Sequence, residues 1–212
     1  MKRALILANG KSPSKLLFHN SMVYADWFVC ADGGANTAAR FGYTPDLIIG
    51  DLDSIEKETL KKFSSVKTIK LKDQNSTDLE KALTAVLRKK FKEIIVLGAT
   101  GGRLDHAIGN LSALAKYSDR AHITFLDIEG IFISVDRILE MNLPAGTIIS
   151  LLPLSRCTGV ITRGLKWNLN GESLELGIRE STSNVMVTSP VTIKVKKGRM
   201  IAFVMANHTL IP

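Results

Sequence analysis

Short apolar runs alternate with longer amphipathic stretches along residues 1–130 of the chain. Residues 78–91 and 105–117 place apolar side chains three and four positions apart, which predicts a helix in each stretch. The short runs have the length and composition of buried strands, and they lie at residues 3–9, 27–32, 46–51, 65–71, 93–98 and 122–127. Strands that alternate with helices predict a parallel sheet covered on both faces.

The pattern changes after residue 135. Strand-like runs follow one another there, separated by Gly, Pro, Asn and Ser, and no amphipathic helix interrupts them. This pattern is typical of a small all-β sandwich or barrel-like unit. We therefore predict an α/β fold in which an N-terminal Rossmann-like parallel-sheet domain, residues 1–135, precedes a C-terminal all-β sandwich domain, residues 136–212.

Composition and charge narrow the classes of protein. With 212 residues, 45% of them hydrophobic, the chain can bury a core, and no apolar run is long enough for a transmembrane helix. The net charge of +8 favours anionic partners. The lysines of the chain are spread along helical stretches, and no nucleic-acid motif accompanies them. We therefore expect neither nucleic acid nor a membrane as a partner. Cys30 and Cys157 lie far apart and indicate neither a disulfide framework nor a zinc site, which favours a cytoplasmic location.

Candidate chemistry lies where the predicted strands end, because ligands collect beyond the carboxyl ends of strands in open α/β sheets. The first strand ends in residues 9–12, Asn-Gly-Lys-Ser, which lack the earlier glycine of a Walker loop and leave either a phosphate-facing or a plain turn. The second ends in Asp32, Gly33 and Gly34, shortly before Asn36. These glycines could admit a ligand phosphate to the start of the next helix, or simply form a tight turn.

The third strand ends in two acids, Asp51 and Asp53. In an extended segment both carboxylates would point the same way, with Leu52 on the opposite side. Converging carboxylates suit a hard divalent cation such as Mg²⁺. The alternative is a helix cap made by Asp53 or Ser54, which explains one acid but not the pair.

Two more segments carry polar groups to the same edge. Thr77 and Glu80 have the spacing of a capping box, which places Asp78 in the first turn of the helix. Asp78 could belong to the functional site, or it could simply complement the helix dipole. The fifth strand leads into a glycine loop, residues 98–106, in which Gly101, Gly102, Arg103 and Asp105 could cradle and neutralise phosphate groups. Acids at three strand ends, glycine loops and an arginine together predict a magnesium–nucleotide site that transfers phosphoryl-type groups.

The motifs ADGGAN, GDLDS, DQNSTDLEKAL, GATGGRLDH, GLKWNL and ESTSN, in this order and spacing, resemble the thiamine pyrophosphokinase (thiamine diphosphokinase) family. The resemblance covers nearly the whole chain. It implies an enzyme that transfers pyrophosphate from ATP to the hydroxyl of thiamine with the help of Mg²⁺, giving thiamine diphosphate and AMP. It also implies an α/β domain followed by a β-sandwich, and a homodimer with active sites at the subunit interface.

The resemblance also assigns roles to residues of this chain. Magnesium and the transferring phosphates would be held by Asp51, Asp53 and Asp78. Catalysis would also involve Arg103 and Asp105, and either Asp78 or Asp105 would accept the proton of the thiamine hydroxyl. The nucleotide would be bound by Asp32, Gly33, Gly34, Asn36, Gly101, Gly102 and Arg103. Thiamine would be held by Gln74, Thr77, Trp167, Ser181, Ser183 and Asn184, some of them from the partner subunit.

Three other classes of protein stay open at the level of sequence. A pyrophosphokinase for a pterin alcohol would keep the first-domain motifs but not GLKWNL and ESTSN. A non-catalytic sensor of thiamine or nucleotide would have lost a metal-binding acid, and none is lost here. A basic nucleic-acid binder would show steeply salt-dependent binding.

Overall fold

The computed structural model describes residues 2–73 and 75–206. The chain divides into two units. The first contains residues 2–113 and 120–128, and the second contains residues 114–119 and 129–206. The domain boundary placed after residue 135 stays a prediction.

The first unit is built on parallel strands. Its strands are β1 (Arg3–Leu7), β2 (Trp27–Ala31), β3 (Leu47–Gly50), β4 (Thr68–Lys70), β5 (Glu93–Leu97) and β6 (His122–Asp127). They lie in the order β6-β5-β1-β2-β3-β4, and each neighbouring pair is parallel. All six predicted strands and their parallel arrangement are therefore confirmed.

Helices connect these strands. They are α1 (Lys15–Val23), α2 (Gly34–Phe41), α3 (Lys57–Lys62), α4 (Asp78–Arg88) and α5 (Leu104–Tyr117). The last two confirm the helices predicted from periodicity. Helix α1 had no predicted counterpart, because it buries only Leu17, Phe18 and Ser21 and so shows little amphipathic pattern. Its start is fixed by Ser14, whose hydroxyl oxygen accepts a hydrogen bond from the backbone N–H of Leu17.

Helix α4 packs its apolar face against the parallel strands. Its buried apolar residues Leu79, Leu83 and Val86 recur at helical spacing, and the helix contacts strands β2 and β3. Burying one such aliphatic side chain stabilises the fold by about 1.5–3 kcal/mol. The first turn of α4 is therefore held at a fixed place beyond the ends of β2 and β3.

The second unit contains only strands among its described residues 129–206. They are β7 (Gly130–Ser134), β8 (Ile138–Met141), β9 (Ile148–Pro153), β10 (Cys157–Arg163), β11 (Asn170–Leu174), β12 (Ser181–Val185), β13 (Val191–Lys194) and β14 (Met200–Met205). They form two antiparallel groups, β12-β9-β14-β7 and β11-β10-β13-β8. Buried side chains of both groups, among them Ile149, Val160 and Ile193, belong to one apolar cluster.

The chain thus has a mixed α/β fold, with parallel strands in the first unit and antiparallel strands in the second. Cys30 and Cys157 are both buried, and both are free thiols in this structure. Within residues 2–73 and 75–206, no helix is long and apolar enough to cross a membrane.

Candidate functional site

A cleft of about 790 Å³ opens at the carboxyl ends of the parallel strands in the first unit. Loops that follow β1, β2, β3 and β5 line it, together with the first turns of α4 and α5. Most of the residues predicted to act on magnesium and phosphate lie in its wall, namely Asp32, Asp51, Asp53, Asp78, Gly101, Gly102, Arg103 and Asp105, and Thr77 lies there as well. The sequence prediction of one shared edge therefore agrees with the structure.

Three acids converge inside this cleft. Asp32 follows β2, Asp51 follows the neighbouring strand β3, and Asp78 is the first residue of α4. One carboxylate oxygen from each lies within 4.8 Å of those of the other two. Two unit charges at that separation repel by about 3.5 kcal/mol at an effective dielectric constant of about 20. A site with this much repulsion is suited to a cation.

Gly50 makes this approach possible. A Cβ atom built on Gly50 would lie 2.9 Å from the Cβ of Asp32 and 3.1 Å from Oδ1 of Asp78. The first distance is shorter than Cβ atoms show in proteins and the second is unusually tight, so a residue larger than glycine would displace Asp32 and press on Asp78. Gly50, the last residue of β3, therefore leaves the space that the acid cluster occupies, although it has no side chain to bind a ligand.

Asp32 is the most constrained of the three acids. It is buried, at 3% exposure, and its Oδ1 has no hydrogen-bond partner in the structure. Its backbone φ of 43° lies in the left-handed region that few side chains adopt. Burial raises the pKa of the Asp32 carboxyl, polar groups of Ser54 and Gly33 lower it in part, and the charges of Asp78 and Asp51 raise it further. An unpaired, desolvated carboxylate oxygen beside two other acids has the chemistry of a metal ligand.

Asp53 does not lie beside Asp51 in an extended segment, contrary to the sequence prediction. The predicted alternation required an extended segment, but β3 ends at Gly50 and Leu52 has a φ of 66°, so that prediction is wrong. The exposed Asp53 is folded back: its N–H donates to Oδ1 of Asp51 at 3.3 Å, and its Oδ1 accepts from the Ser54 hydroxyl at 3.0 Å. It lines the cleft but is not among the three converging acids, and its role as a metal ligand stays a prediction.

The start of α4 is fixed by the predicted capping box. The Thr77 hydroxyl accepts from the backbone N–H of Glu80 at 3.2 Å, and the Glu80 carboxylate accepts from the Thr77 N–H at 3.1 Å. Asp78 therefore stands in the first turn, where the helix dipole favours its negative charge. One turn further along the helix, Lys81 donates to Asp78 Oδ1 at 2.9 Å. The sequence reading missed Lys81, although its spacing from Asp78 is a signal for a helical ion pair.

The loop after β5 adopts backbone conformations that favour glycine. Gly101 and Gly102 have φ angles of 75° and 71°. Arg103 follows them and makes two hydrogen bonds to the Asp105 carboxylate, at 3.1 and 2.5 Å. The Arg103 guanidinium lowers the pKa of Asp105 to about 2, and the same pairing raises the pKa of Arg103. Lys11, in the turn after β1, lines the cleft beside this loop.

The Arg103–Asp105 pair gives a pH-dependent prediction. We expect the Asp105 carboxyl to titrate at about 2 in the native chain and to move towards its ordinary value of about 3.9 in Arg103→Gln. Because the folded-state pKa is depressed, the contribution of the pair is present above the unfolded value and is lost as the pH falls towards 2. Carboxyl carbon shifts followed by NMR would measure both values, with Arg88→Gln as the exposed control. A wild-type Asp105 that titrates near 3.9 would contradict the pairing.

Three of the residues predicted to bind the nucleotide make packing contacts. A Cβ on Gly33 would lie 2.5 Å from the Asn9 side chain, and one on Gly34 would lie 2.1 Å from the carbonyl oxygen of Leu7. The buried Asn36 donates to the Ser54 carbonyl oxygen and accepts from a backbone N–H of the same loop, so it ties α2 to the segment after β3. These contacts explain why the residues are needed locally, and their binding role stays a prediction.

The residues predicted to hold thiamine lie in the second unit, apart from Thr77 and from Gln74, which lies outside the described residues. A shallow pocket of about 320 Å³ is lined by Trp167, Ser181 and Asn184. Trp167 is 57% exposed, and the Lys166 ammonium lies 4.7 Å from its ring centroid. Ser183 is not in the lining; its N–H donates to the hydroxyl oxygen of a neighbouring strand residue at 2.9 Å.

Asn184 has its amide groups engaged within the chain. It is buried, its Oδ1 accepts from the backbone N–H groups of Trp167 and Val185, and its Nδ2 donates to the Trp167 carbonyl oxygen at 2.7 Å. These bonds fix the backbone of the exposed tryptophan. In this structure Asn184 therefore orients Trp167, and the prediction that it binds a ligand directly is untested.

Comparisons with known proteins agree on both units. Residues 18–125 match the family described as thiamin pyrophosphokinase, catalytic domain, and residues 133–200 match thiamin pyrophosphokinase, vitamin B1 binding domain. Thiamine pyrophosphokinase 1 of Oryza sativa subsp. japonica is 33% identical over 199 residues, covering 78% of this chain and 74% of the relative. Thiamin pyrophosphokinase 1 of Caenorhabditis elegans is 31% identical over 198 residues, covering 86% and 81%.

A solved structure shares the fold. Thiamin pyrophosphokinase from Candida albicans superposes with a TM-score of 0.86 at 19% identity, covering 97% of this chain and 89% of that one. Together, the fold, the acidic cleft and the matched domains define a kinase-type transferase with a catalytic and a vitamin-binding domain. The chain belongs to the thiamine pyrophosphokinase family. The resemblance seen in the sequence motifs and the prediction of an enzyme are both confirmed.

Proposed function

We propose that this enzyme transfers the pyrophosphoryl group of ATP to the hydroxyl oxygen of thiamine, giving thiamine diphosphate and AMP, in a reaction that depends on Mg²⁺. The observation that carries the proposal is the convergence of Asp32, Asp51 and Asp78 in a cleft that also contains a glycine loop and Arg103. Phosphoryl-type transfer needs positioning and neutralisation of charge, and these groups supply both.

The three acids fit a hard divalent cation. Carboxylate oxygens are the ligands that Mg²⁺ prefers, and the unpaired Oδ1 of the buried Asp32 is free to coordinate one. When bound there, Mg²⁺ would neutralise phosphate oxygens of the nucleotide. We assign its direct ligands to Asp32, Asp51 and Asp78. We place Asp53, which is exposed and bonded to its neighbours, at the edge of the site.

The nucleotide phosphates are proposed to lie against the loop after β5. Gly101 and Gly102 leave room for a close backbone approach, and the exposed guanidinium of Arg103 can stabilise charge on the transferred group. Asp105 holds that guanidinium in place. The proton of the thiamine hydroxyl would pass to a carboxylate of the cleft, Asp78 or Asp105.

The thiamine ring system is proposed to bind at Trp167. Thiamine is a cation, and an indole face attracts positive charge; the Lys166 ammonium, 4.7 Å from the Trp167 ring centroid, supports this choice of ring. The hydroxyls of Ser181 and Ser183 could pair with polar edges of the ligand. Asn184 would keep the indole in place through its bonds to the Trp167 backbone.

A homodimer with active sites at the subunit interface is part of the proposal. Large apolar side chains are exposed in both units: Leu104 and Ile108 beside the cleft, and Trp167, Leu176 and Ile178 in the second unit. Contiguous exposed apolar surface is typical of protein interfaces, and we propose that these side chains contribute to such a surface. A second copy of this chain would cover them and could bring its Trp167 to the cleft.

A product assay tests the proposed reaction. The enzyme is incubated with ATP, Mg²⁺ and thiamine, and nucleotides and thiamine esters are separated by chromatography. We expect AMP and thiamine diphosphate to appear in equal amounts and to stop appearing when Mg²⁺ is chelated. Formation of ADP with thiamine monophosphate would show a simple kinase and contradict the proposal, as would turnover of a pterin alcohol in place of thiamine.

A further inference from the structure

Lys81 is a buried cation beside the acid cluster. It is 6% exposed, and it and Asp32 are the charged side chains that are buried among the residues described. Its ammonium contacts Asp78 Oδ1 at 2.9 Å. A buried ammonium is unfavourable without a partner, so its position beside three acids calls for an explanation.

The packing of Lys81 places it in the wall between two clefts. Lys81 lines the acidic cleft and also a second cleft of about 600 Å³, which is lined as well by Leu47, Ile49 and Ile69. The charged end of Lys81 belongs to the acidic cleft, because the ammonium reaches Asp78. Lys11 and Arg103, which also line the acidic cleft, are both exposed, and Arg103 is paired with Asp105.

We propose that Lys81 is a built-in counter-cation and positioning residue for the acid cluster. By holding Asp78, it offsets the repulsion among the three carboxylates when no divalent cation is bound. With all three acids ionised, Lys81 leaves a net charge of −2, which one divalent cation balances. The assignment of the cluster as a metal site rests on the proposed function, but the ion pair and its effect on the metal-free enzyme do not.

Thermal unfolding of four proteins tests this role: wild type, Lys81→Met, Asp78→Asn and the double variant, each with chelator and with saturating Mg²⁺. In chelator we expect Lys81→Met to melt about 5 °C below wild type, because the half-buried Asp78 loses its cation and the repulsion among the three acids is no longer offset. The double variant should lose less than the sum of the two single variants. Lys61→Met, which removes an exposed lysine of α3, should melt like wild type.

The response to Mg²⁺ distinguishes a role of Lys81 as a counter-cation from a role in packing alone. We expect Mg²⁺ to raise the melting temperature of Lys81→Met more than that of wild type, because the ion supplies the missing positive charge. Lys81→Arg, which keeps the charge, should respond to Mg²⁺ like wild type. If Lys81→Met cannot be purified in chelator but folds in Mg²⁺, the proposal is supported.

Two results would overturn the proposal. One is additivity of the two substitutions in chelator, and the other is an equal loss for Lys81→Met with and without Mg²⁺ when wild type responds to the ion. If Mg²⁺ stabilises none of the proteins, the metal site of the proposed function fails. The double-variant comparison in chelator would then still decide whether Lys81 and Asp78 are coupled.

Discussion

Asp51→Asn is expected to lower kcat/KM by about 1,000-fold while the protein stays folded. Asp51 supplies one of three carboxylate oxygens that lie within 4.8 Å of one another, and an amide cannot replace its charge. Loss of one group that stabilises charge in a transition state typically costs 100- to 1,000-fold in rate. A steady-state assay of AMP release at saturating Mg²⁺ would measure the change.

Although Asp51→Asn should lower activity, it should not lower the stability of the metal-free protein. Removing one of three repelling charges relieves the metal-free cluster, so we expect Asp51→Asn to melt at or above the wild-type temperature in chelator. Asp119→Asn, at an exposed position after α5, is the matched control and should change neither quantity. Near wild-type turnover of Asp51→Asn would show that the acid cluster is not the catalytic site.

Gly50→Ala is expected to abolish most activity by adding a single methyl group. The new Cβ would lie 2.9 Å from Asp32 Cβ and 3.1 Å from Asp78 Oδ1, so the cluster must open to admit it. Overpacking of this kind typically costs about 1–3 kcal/mol of stability, and displaced acids would bind a cation less tightly. We expect at least a 100-fold loss of kcat/KM together with a raised requirement for Mg²⁺.

Gly42→Ala provides the matched control. Gly42 ends α2 with a φ of 83° and has no atom within 4 Å of its Cβ position, so alanine there meets backbone strain but no neighbour. We expect about 1 kcal/mol of lost stability and unchanged turnover. Chemical denaturation and the AMP assay together would separate the two variants. Equal turnover in both would contradict the account of Gly50.

Local pattern predicted most of the first unit. The apolar runs gave the six strands, and the Thr77–Glu80 spacing gave the start of α4, because both signals depend on residues close in sequence. Helix α1 escaped prediction because its buried face is small. Placement of acids at one edge also followed from sequence, since parallel strands end on the same side of a sheet.

The composition of the acid cluster could not be predicted in the same way. Sequence reading paired Asp51 with Asp53, but the turn at Leu52 bends the chain, and Asp32 from the neighbouring strand lies with Asp51 instead. That choice depends on strand order and on a left-handed residue that no spacing rule specifies. The space left by Gly50 is likewise visible only once the neighbouring strand and helix are in place.

Binding of Mn²⁺ to the wild-type enzyme, followed by electron paramagnetic resonance as the free ion disappears, tests the central claim most directly. The claim is that Asp32, Asp51 and Asp78 form a divalent-cation site within the cleft. We expect saturable binding that Mg²⁺ competes away, that Asp51→Asn weakens by at least tenfold and that Asp119→Asn leaves unchanged. Equal Mn²⁺ affinity in wild type and Asp51→Asn would contradict the claim.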